Sequence, residues 1–228
     1  TAALVTDDTK VVASTATVTV NDDAATSITA AELSAIGGKT SGTVTVSNAV
    51  VITGNHDQLT AALVTDDTKV VASTATATVS DDAGTAITAA ELSTIGGKTS
   101  GQVTVSNAVA ITGNPAEVTA ALVTADTLVV ASTATVTITG NPSIAELNAI
   151  AAKTDGVVTA TLAATSLASL ADLTTAGTDN ITITVSDDAG DAVTASDLST
   201  LGGKTAGTVT VSNAVAITGN HDQVTAAL

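Results

Sequence analysis

The fold is decided by the segment from Ala31 to Asn48, which reads Ala-Glu-Leu-Ser-Ala-Ile-Gly-Gly-Lys-Thr-Ser-Gly-Thr-Val-Thr-Val-Ser-Asn. Leu33 and Ile36 lie three residues apart, which places them on one face of a short helix over residues 29–36. The following Gly37-Gly38 is typical of a helix end. The alternation of threonine and valine from Thr43 to Val46 then predicts a half-buried β-strand.

This segment recurs and makes the chain a tandem repeat. It returns at 90–107 and, more loosely, at 196–213. A second motif, at 1–10, returns at 60–69 and as a variant at 119–128, so equivalent positions lie 59 residues apart. The chain therefore divides into repeats 1–59, 60–118 and 119–224, with a divergent pair of units at 135–181, and residues 225–228 are expected to begin a further repeat.

A short strand of the Thr-Val-Thr-Val type marks each of eight units of 22–33 residues. These strands start at Thr17, Thr43, Thr76, Gln102, Thr135, Val157, Thr182 and Thr208. Strands this far apart do not form tight hairpins, so we expect parallel pairing after a crossover. The sequence predicts an all-β fold with short helical turns, a parallel β-solenoid of about eight coils around a narrow aliphatic core. Tandem small β-sandwich modules are the alternative.

The amino-acid composition argues against several classes of function. The 228 residues include 22 acidic and 6 basic side chains, a net charge of −16, and contain no aromatic residue. Nucleic-acid binding needs basic patches to neutralise phosphates, so it is not expected. Membrane insertion is not expected either, because the sequence has no run of about 18 apolar residues. A hydrophobic content of 44% argues against disorder.

The motif at 31–48 and its copies resemble the acidic, Thr/Ala/Val-rich tandem repeats of giant bacterial surface and extracellular proteins, including cyanobacterial ones. The resemblance covers nearly the whole chain. It implies secretion, an extracellular or cell-surface location, and a structural or adhesive role. The Gly-Gly-x-Gly-x-Asp calcium motif of many such repeats does not occur in this sequence, so the resemblance does not extend to a calcium-dependent roll.

Pairs of adjacent aspartates follow three equivalent strands, at Asp22-Asp23, Asp81-Asp82 and Asp187-Asp188. Oxygen-rich turns of this kind are candidate weak calcium sites. Solvated turns are the favoured alternative, because pairs in alternate units would lie about 10 Å apart, too far to share an ion. Calcium is the one cofactor that the sequence suggests.

Carboxylates and lysines seven residues apart are expected to form a charge ladder that fixes the register between units. The pairs are Glu32/Lys39, Glu91/Lys98, Glu146/Lys153 and Asp197/Lys204. The Thr-x-Thr strands predict two outward columns, made of Thr17, Thr19, Thr43, Thr45, Thr76, Thr78, Thr135, Thr137, Thr182, Thr184, Thr208 and Thr210. These columns resemble the faces of ice-binding proteins, which makes binding of ice or a polysaccharide the alternative function.

No catalytic residue is predicted, because the sequence lacks a Ser-His-Asp constellation and a phosphate-binding glycine loop. His56-Asp57 and His221-Asp222 are interpreted as turn residues, since Asn114-Pro115 fills the same position in the middle repeat. The favoured prediction is a non-enzymatic structural segment of an extracellular filament, adhesin stalk or surface layer. Its expected partners are copies of itself, head to tail or lateral, or flanking repeats of a longer chain.

Overall fold

The computed structural model describes residue 5 and residues 11–124 and 128–228. The motif at 1–10 therefore lies almost entirely outside the described residues, as do residues 125–127 of its variant copy. The strands of the described part are β1 (Val18–Val20), β2 (Ser27–Thr29), β3 (Val44–Val46), β4 (Val51–Gly54), β5 (Val70–Val71), β6 (Thr76–Val79), β7 (Ala86–Thr88), β8 (Val103–Val105), β9 (Ala110–Gly113), β10 (Val129–Val130), β11 (Thr135–Ile138), β12 (Val158–Thr161), β13 (Asn180–Val185), β14 (Ala192–Thr194), β15 (Val209–Val211) and β16 (Ala216–Thr218).

Short helices alternate with these strands. The α-helices are α1 (Ala30–Gly37), α2 (His56–Leu59), α3 (Ala89–Gly96), α4 (Pro115–Val118), α5 (Ile144–Ala151), α6 (Leu167–Leu170), α7 (Ala195–Gly202) and α8 (His221–Ala227). Two π-helices, π1 (Thr60–Val64) and π2 (Thr119–Val123), continue α2 and α4, and a 3-10 turn covers Asp66–Thr68. None of the helices in the described ranges combines the length and the hydropathy needed to cross a bilayer.

The described strands pair in parallel and form four sheets. Their strand orders are β1-β3-β5 in sheet I, β2-β4-β6-β8-β10 in sheet II, β7-β9-β11-β12-β13-β15 in sheet III and β14-β16 in sheet IV. Within sheet II, Ile28 pairs with Ile52, Ile52 with Ala77, and Ala77 with Val103. Paired residues in this sheet are therefore 24–26 positions apart in the chain.

The predicted all-β fold, a parallel β-solenoid of about eight coils, is wrong: the chain has a mixed α/β architecture with 29% helix and 26% strand. The alternative of β-sandwich modules fails as well, because the pairings are parallel. The physical reason is helix capping. At Asn55, for example, the side-chain oxygen accepts from the backbone N–H of Gln58, whose side-chain oxygen accepts from the backbone N–H of Asn55, so a helix begins where a turn was expected. Such reciprocal capping boxes begin α1, α2, α3, α4, α5 and α8, and each satisfies N–H groups that a helix start leaves free.

The similar Thr-Val strands are also distributed differently from the expected single stack. β1 pairs with β3, but β3 then pairs with β5 rather than with β6. β6 instead pairs with β4, the second apolar run of the preceding unit. Because pairing joins residues 24–26 apart, a sequence interval of 33 residues carries the next equivalent strand into a different sheet.

An aliphatic core joins sheets and helices. Leu33, Ile52, Leu92, Ile111 and Leu147 are at most 1% exposed and belong to one cluster of contacting side chains. The predicted helix at 29–36 is confirmed as α1; Leu33 belongs to this core cluster, and Ile36 is buried with 7% exposure. Leucine, isoleucine, valine and alanine thus fill the space between short helices and narrow sheets without any aromatic side chain.

Candidate functional site

A threonine clasp joins each Lys-Thr-x-Gly turn to the preceding unit. Thr99 Oγ1 donates a hydrogen bond to the Ala75 carbonyl and accepts one from the Gly101 N–H at 3.0 Å. A Cβ at Gly101 would collide with the same carbonyl, so this position needs glycine. The clasp recurs at Thr40 and Gly42, Thr154 and Gly156, and Thr205 and Gly207.

In the described residues the Lys-Thr-x-Gly turns are bonded to the preceding unit by this clasp and not by a charge ladder. The clasp was not predicted from the sequence, although the Thr-x-Gly that follows Lys39, Lys98, Lys153 and Lys204 was a signal for it. A buried threonine that both donates to and accepts from backbone groups holds two turns at one spacing.

The carboxylates assigned to the charge ladder lie in helix caps. Glu32 Oε2 accepts hydrogen bonds from Thr29 Oγ1 at 2.7 Å and from Thr29 N at 3.1 Å. These bonds lower the pKa of Glu32, and equivalent bonds lower the pKa of Glu91 and of Glu146. Asp197 Oδ2 accepts a hydrogen bond at 2.7 Å from the hydroxyl of Thr194, which is the N-cap of α7.

The lysines of the ladder are placed elsewhere. Within the described ranges no lysine lies within 4.0 Å of a carboxylate, and the ion pairs that occur there are made by histidines. Lys39, Lys98 and Lys153 are exposed. Lys204 is half-buried, and its Nζ donates to the Ala171 carbonyl at 2.9 Å.

The aspartate pairs divide into two kinds. Asp81 and Asp187 turn inward and accept backbone N–H groups at the first residues of α2 and α6, from His56 at 2.7 Å and Leu167 at 2.8 Å. The remaining members, Asp22, Asp23, Asp82 and Asp188, are exposed. In the described part of the chain no three histidine or carboxylate side chains are grouped to hold a metal ion.

Threonines align in one continuous column per sheet. Sheet II aligns Thr29, Thr53, Thr78 and Thr104, and sheet III aligns Thr88, Thr112, Thr137 and Thr159. The other predicted column residues pair as Thr19 with Thr45, Thr182 with Thr161, Thr184 with Thr210, Thr76 with Val51 and Thr135 with Ala110. Thr17, Thr43 and Thr208 precede their strands. The sequence predicted only one threonine of each four-residue column, Thr78 in sheet II and Thr137 in sheet III. Thr53 and Thr112 lie in the second apolar runs, which the prediction did not count.

His56 links two units through Asp81. Its Nδ1 lies 2.6 Å from Asp81 Oδ1, and the two side chains are only 14% and 5% exposed. Burial by itself would lower the pKa of His56, but the hydrogen bond and charge of Asp81, with the charges of Asp57 and Glu91, outweigh it and raise that pKa. The interpretation of His56-Asp57 as turn residues is wrong, since both residues lie in the first turn of α2, whose N-cap is Asn55.

The positions equivalent to this linked pair are exposed in the first and the last described units of the chain. His221 follows Asn220 as His56 follows Asn55, and its side chain is 90% exposed. Asp22, which is 59 residues before Asp81, is exposed. Apolar residues show the same difference in exposure between the last unit and the interior: Leu228 is 83% exposed, whereas its equivalent Leu63 is 6% exposed.

We define two surfaces from these residues. The N-terminal end surface consists of Val11, Val12, Ala16, Val18 and Asp22, and the C-terminal end surface consists of Ile217, His221, Val224 and Leu228. Both combine exposed or half-buried apolar side chains with one titratable group. In the interior of the chain several equivalent residues are covered by the neighbouring unit, as Ala75 (1% exposed) and Val118 (0%) illustrate, whereas Val71 and Val130, the equivalents of Val12, are 48% and 40% exposed.

The divergent stretch at 135–181 creates a groove. Its helix α6 has four residues and, unlike α2 and α4, is not continued by a π-helix. The groove between α6 and α7 has a volume of about 360 Å³ and is lined by Leu170, Leu201 and Lys204 among others. Within the groove, Lys204 Nζ donates a hydrogen bond to the Ala171 carbonyl.

The geometry therefore offers two end surfaces and a set of unit-to-unit contacts as the candidate functional site. The resemblance to bacterial surface repeats stays a prediction, since no family model, no curated protein and no solved structure matches this chain.

Proposed function

We propose that this chain is a non-enzymatic structural segment that stacks end to end with copies of itself, or with flanking repeats of a longer chain, to form a filament. One observation carries the proposal: the strands of sheets IV and I together correspond to the five strands of sheet II. Sheet II contains five kinds of strand in the order β2-β4-β6-β8-β10. Sheet IV contains the first two kinds, as β14 and β16, and sheet I contains the last three, as β1, β3 and β5.

End-to-end stacking would join these parts in a register that the chain already uses. Within the chain, β4 pairs with β6 so that Ile52 lies opposite Ala77. The same register would pair β16 with β1 of the next copy and place Ile217 opposite Val18. An uncovered strand edge is a template for such pairing.

A second strand contact supports the same arrangement. β3 and β8 each pair with a two-residue Val-Val strand, β5 and β10. β15 is of the same kind as β3, and its counterpart in the next copy would be Val11-Val12, which are 55% and 88% exposed. Covering these valines removes apolar surface from water, which favours association.

The chemistry of the described side chains favours a structural role. The groups whose pKa values are shifted, Glu32, His56, Glu91 and Glu146, owe the shifts to helix caps or to the contact between units. A net charge of −16 makes copies repel, so stacking is expected to need cations that screen it. The proposal includes an extracellular or cell-surface setting, which the acidic repeat pattern supports.

Sedimentation velocity and negative-stain electron microscopy of the 228-residue chain at increasing salt test this proposal. Ala16→Lys and Leu228→Lys change side chains that are exposed in the single chain, so folding should not suffer, whereas their equivalents Ala75 and Leu63 are covered by a neighbouring unit. Ala90→Lys, an exposed position on α3 far along the chain from both end surfaces, is the matched control. We expect filaments from the wild type and from Ala90→Lys, and monomers from the two end variants.

Two results would contradict the proposal. A wild-type chain that stays monomeric at every salt concentration shows that the ends do not associate. Filaments that form equally well from Ala16→Lys and Leu228→Lys show that association uses another surface.

A further inference from the structure

We propose that the end-to-end contact is specified by a hydrogen-bonded pair between copies, formed by His221 of one copy and Asp22 of the next. This inference rests on the proposed function and names the residues that select the partner, a second copy of this chain. Its basis is the pair that His56 and Asp81 form inside the chain.

The internal pair shows what such a contact looks like. Asp81 uses both carboxylate oxygens, one for the His56 backbone N–H at 2.7 Å and one for the imidazole Nδ1 at 2.6 Å. Asp81 lies in the unit after the one that contains His56, 25 positions along the chain. The pair is therefore a contact between units, and a charge-assisted bond of this kind is both short and directional.

Strand register places the two end residues in the same relation. Gly54 lies opposite Val79, and His56 and Asp81 each follow two residues later. When β16 pairs with β1 of the next copy in this register, Gly219 comes opposite Val20. His221 and Asp22 also follow these residues by two positions, so they meet as His56 and Asp81 do.

The contact between β9 and β11, which is equivalent to the contact between β4 and β6, shows that the histidine and the aspartate occur together. There Gly113 pairs with Ile138, and two residues later stand Pro115 and Gly140. Proline has neither the backbone N–H nor the imidazole, and glycine has no carboxylate, so both partners of the bond are lost at this junction. The two end surfaces keep both partners, although in the single chain neither His221 nor Asp22 is covered.

The charges around the pair predict its pH dependence. Around His56 stand Asp81, Asp57 and Glu91, and together they raise the pKa of this histidine against the effect of burial. The equivalents around His221 are Asp222 on its own helix, 2.8 Å from Nε2, with Asp22 and Glu32 from the next copy. A histidine whose pKa is raised on contact binds a proton as the contact forms, so association is strongest below about pH 6.5 and weakens as pH rises.

Sedimentation equilibrium between about pH 6 and about pH 8, at a salt concentration where the wild type associates, measures this effect. We expect the wild-type association constant to fall with pH by up to about tenfold per unit. His221→Gln and Asp22→Asn should associate more weakly and without this pH dependence. Asp23→Asn is the matched control, because it removes the same charge from the neighbouring exposed residue and should behave like the wild type.

An exchange of the two residues gives a second, sharper measurement. His221→Asp and Asp22→His each place two like residues at the junction and should weaken association. The double variant His221→Asp/Asp22→His restores one histidine and one aspartate at every junction and should recover it. Circular dichroism confirms that each variant is folded, which is expected because both positions are exposed.

The outcomes separate this inference from the proposed function. If the wild type associates through its end surfaces but His221→Gln and Asp22→Asn associate equally well, the pair is wrong and the structural function stands. If Asp23→Asn weakens association as much as Asp22→Asn, general repulsion and not the pair is responsible, which also overturns the inference. A wild type that never associates overturns both.

Discussion

Replacing Thr99 by valine tests whether the threonine clasp holds the units together. Valine has nearly the shape of threonine and suits extended backbone, so the substitution removes the hydroxyl without opening a cavity. Thr99 is 8% exposed, and its Oγ1 bonds the Ala75 carbonyl and the Gly101 N–H. Leaving such buried groups without their partner costs about 1–3 kcal/mol, so we expect the free energy of unfolding to fall by about 2 kcal/mol.

Thr137→Val is the matched control, because Thr137 points outward from β11 and is exposed. A surface substitution of this kind should change the free energy of unfolding by less than about 0.5 kcal/mol. Urea unfolding followed by far-ultraviolet circular dichroism measures both values, since the chain has no aromatic residue for fluorescence. The reasoning is refuted if Thr99→Val is no more destabilising than Thr137→Val.

Three further predictions use the same urea measurement. Gly101→Ala should destabilise the protein by about 2 kcal/mol or more, because its Cβ meets the Ala75 carbonyl, whereas Gly97→Ala, whose Cβ would lie 3.5 Å from the Ser93 carbonyl, should be nearly neutral. Leu92→Ala should cost about 2–5 kcal/mol, because this fully buried side chain leaves a cavity between α3 and the sheets, while Ala90→Ser at an exposed position of the same helix should cost far less. The His56–Asp81 pair should add stability below about pH 6.5 that is lost as pH rises through the raised pKa of His56; unfolding free energies at about pH 6 and about pH 8 should differ in the wild type and not in His56→Gln.

Local structure was predictable from the sequence wherever one residue spacing decided it. The helix over 29–36 follows from Leu33 and Ile36, and parallel pairing follows from the long intervals between similar strands. The predicted fold class was wrong because the Asn-x-x-Gln motif at Asn55 and the Asn-x-x-Glu motif at Asn114 were not recognised as capping boxes that begin helices. Glycine and asparagine together favour a turn, and only the residue three positions later shows that a helix begins there.

The site was less predictable than the helices. His56 and Asp81 lie 25 positions apart, and nothing local indicates that they meet. Predicting this contact requires the strand register, and the sequence suggested that strands of similar sequence pair with one another. Since β6 resembles β1 and β3 more closely than it resembles β4, similarity pointed to the wrong neighbour.

The same register places the proposed end-to-end contact in the repeat itself and not in a specialised segment. A 59-residue repeat counted from β6 contains five strands, β6 to β10. It contributes its first, third and fifth strands to sheet II and its second and fourth strands to sheet III. A five-stranded sheet is therefore complete only when two successive repeats contribute to it. β14 and β16 are the second and fourth strands of their repeat. Their sheet therefore lacks a first, a third and a fifth strand, and β1, β3 and β5 of another copy are strands of these kinds.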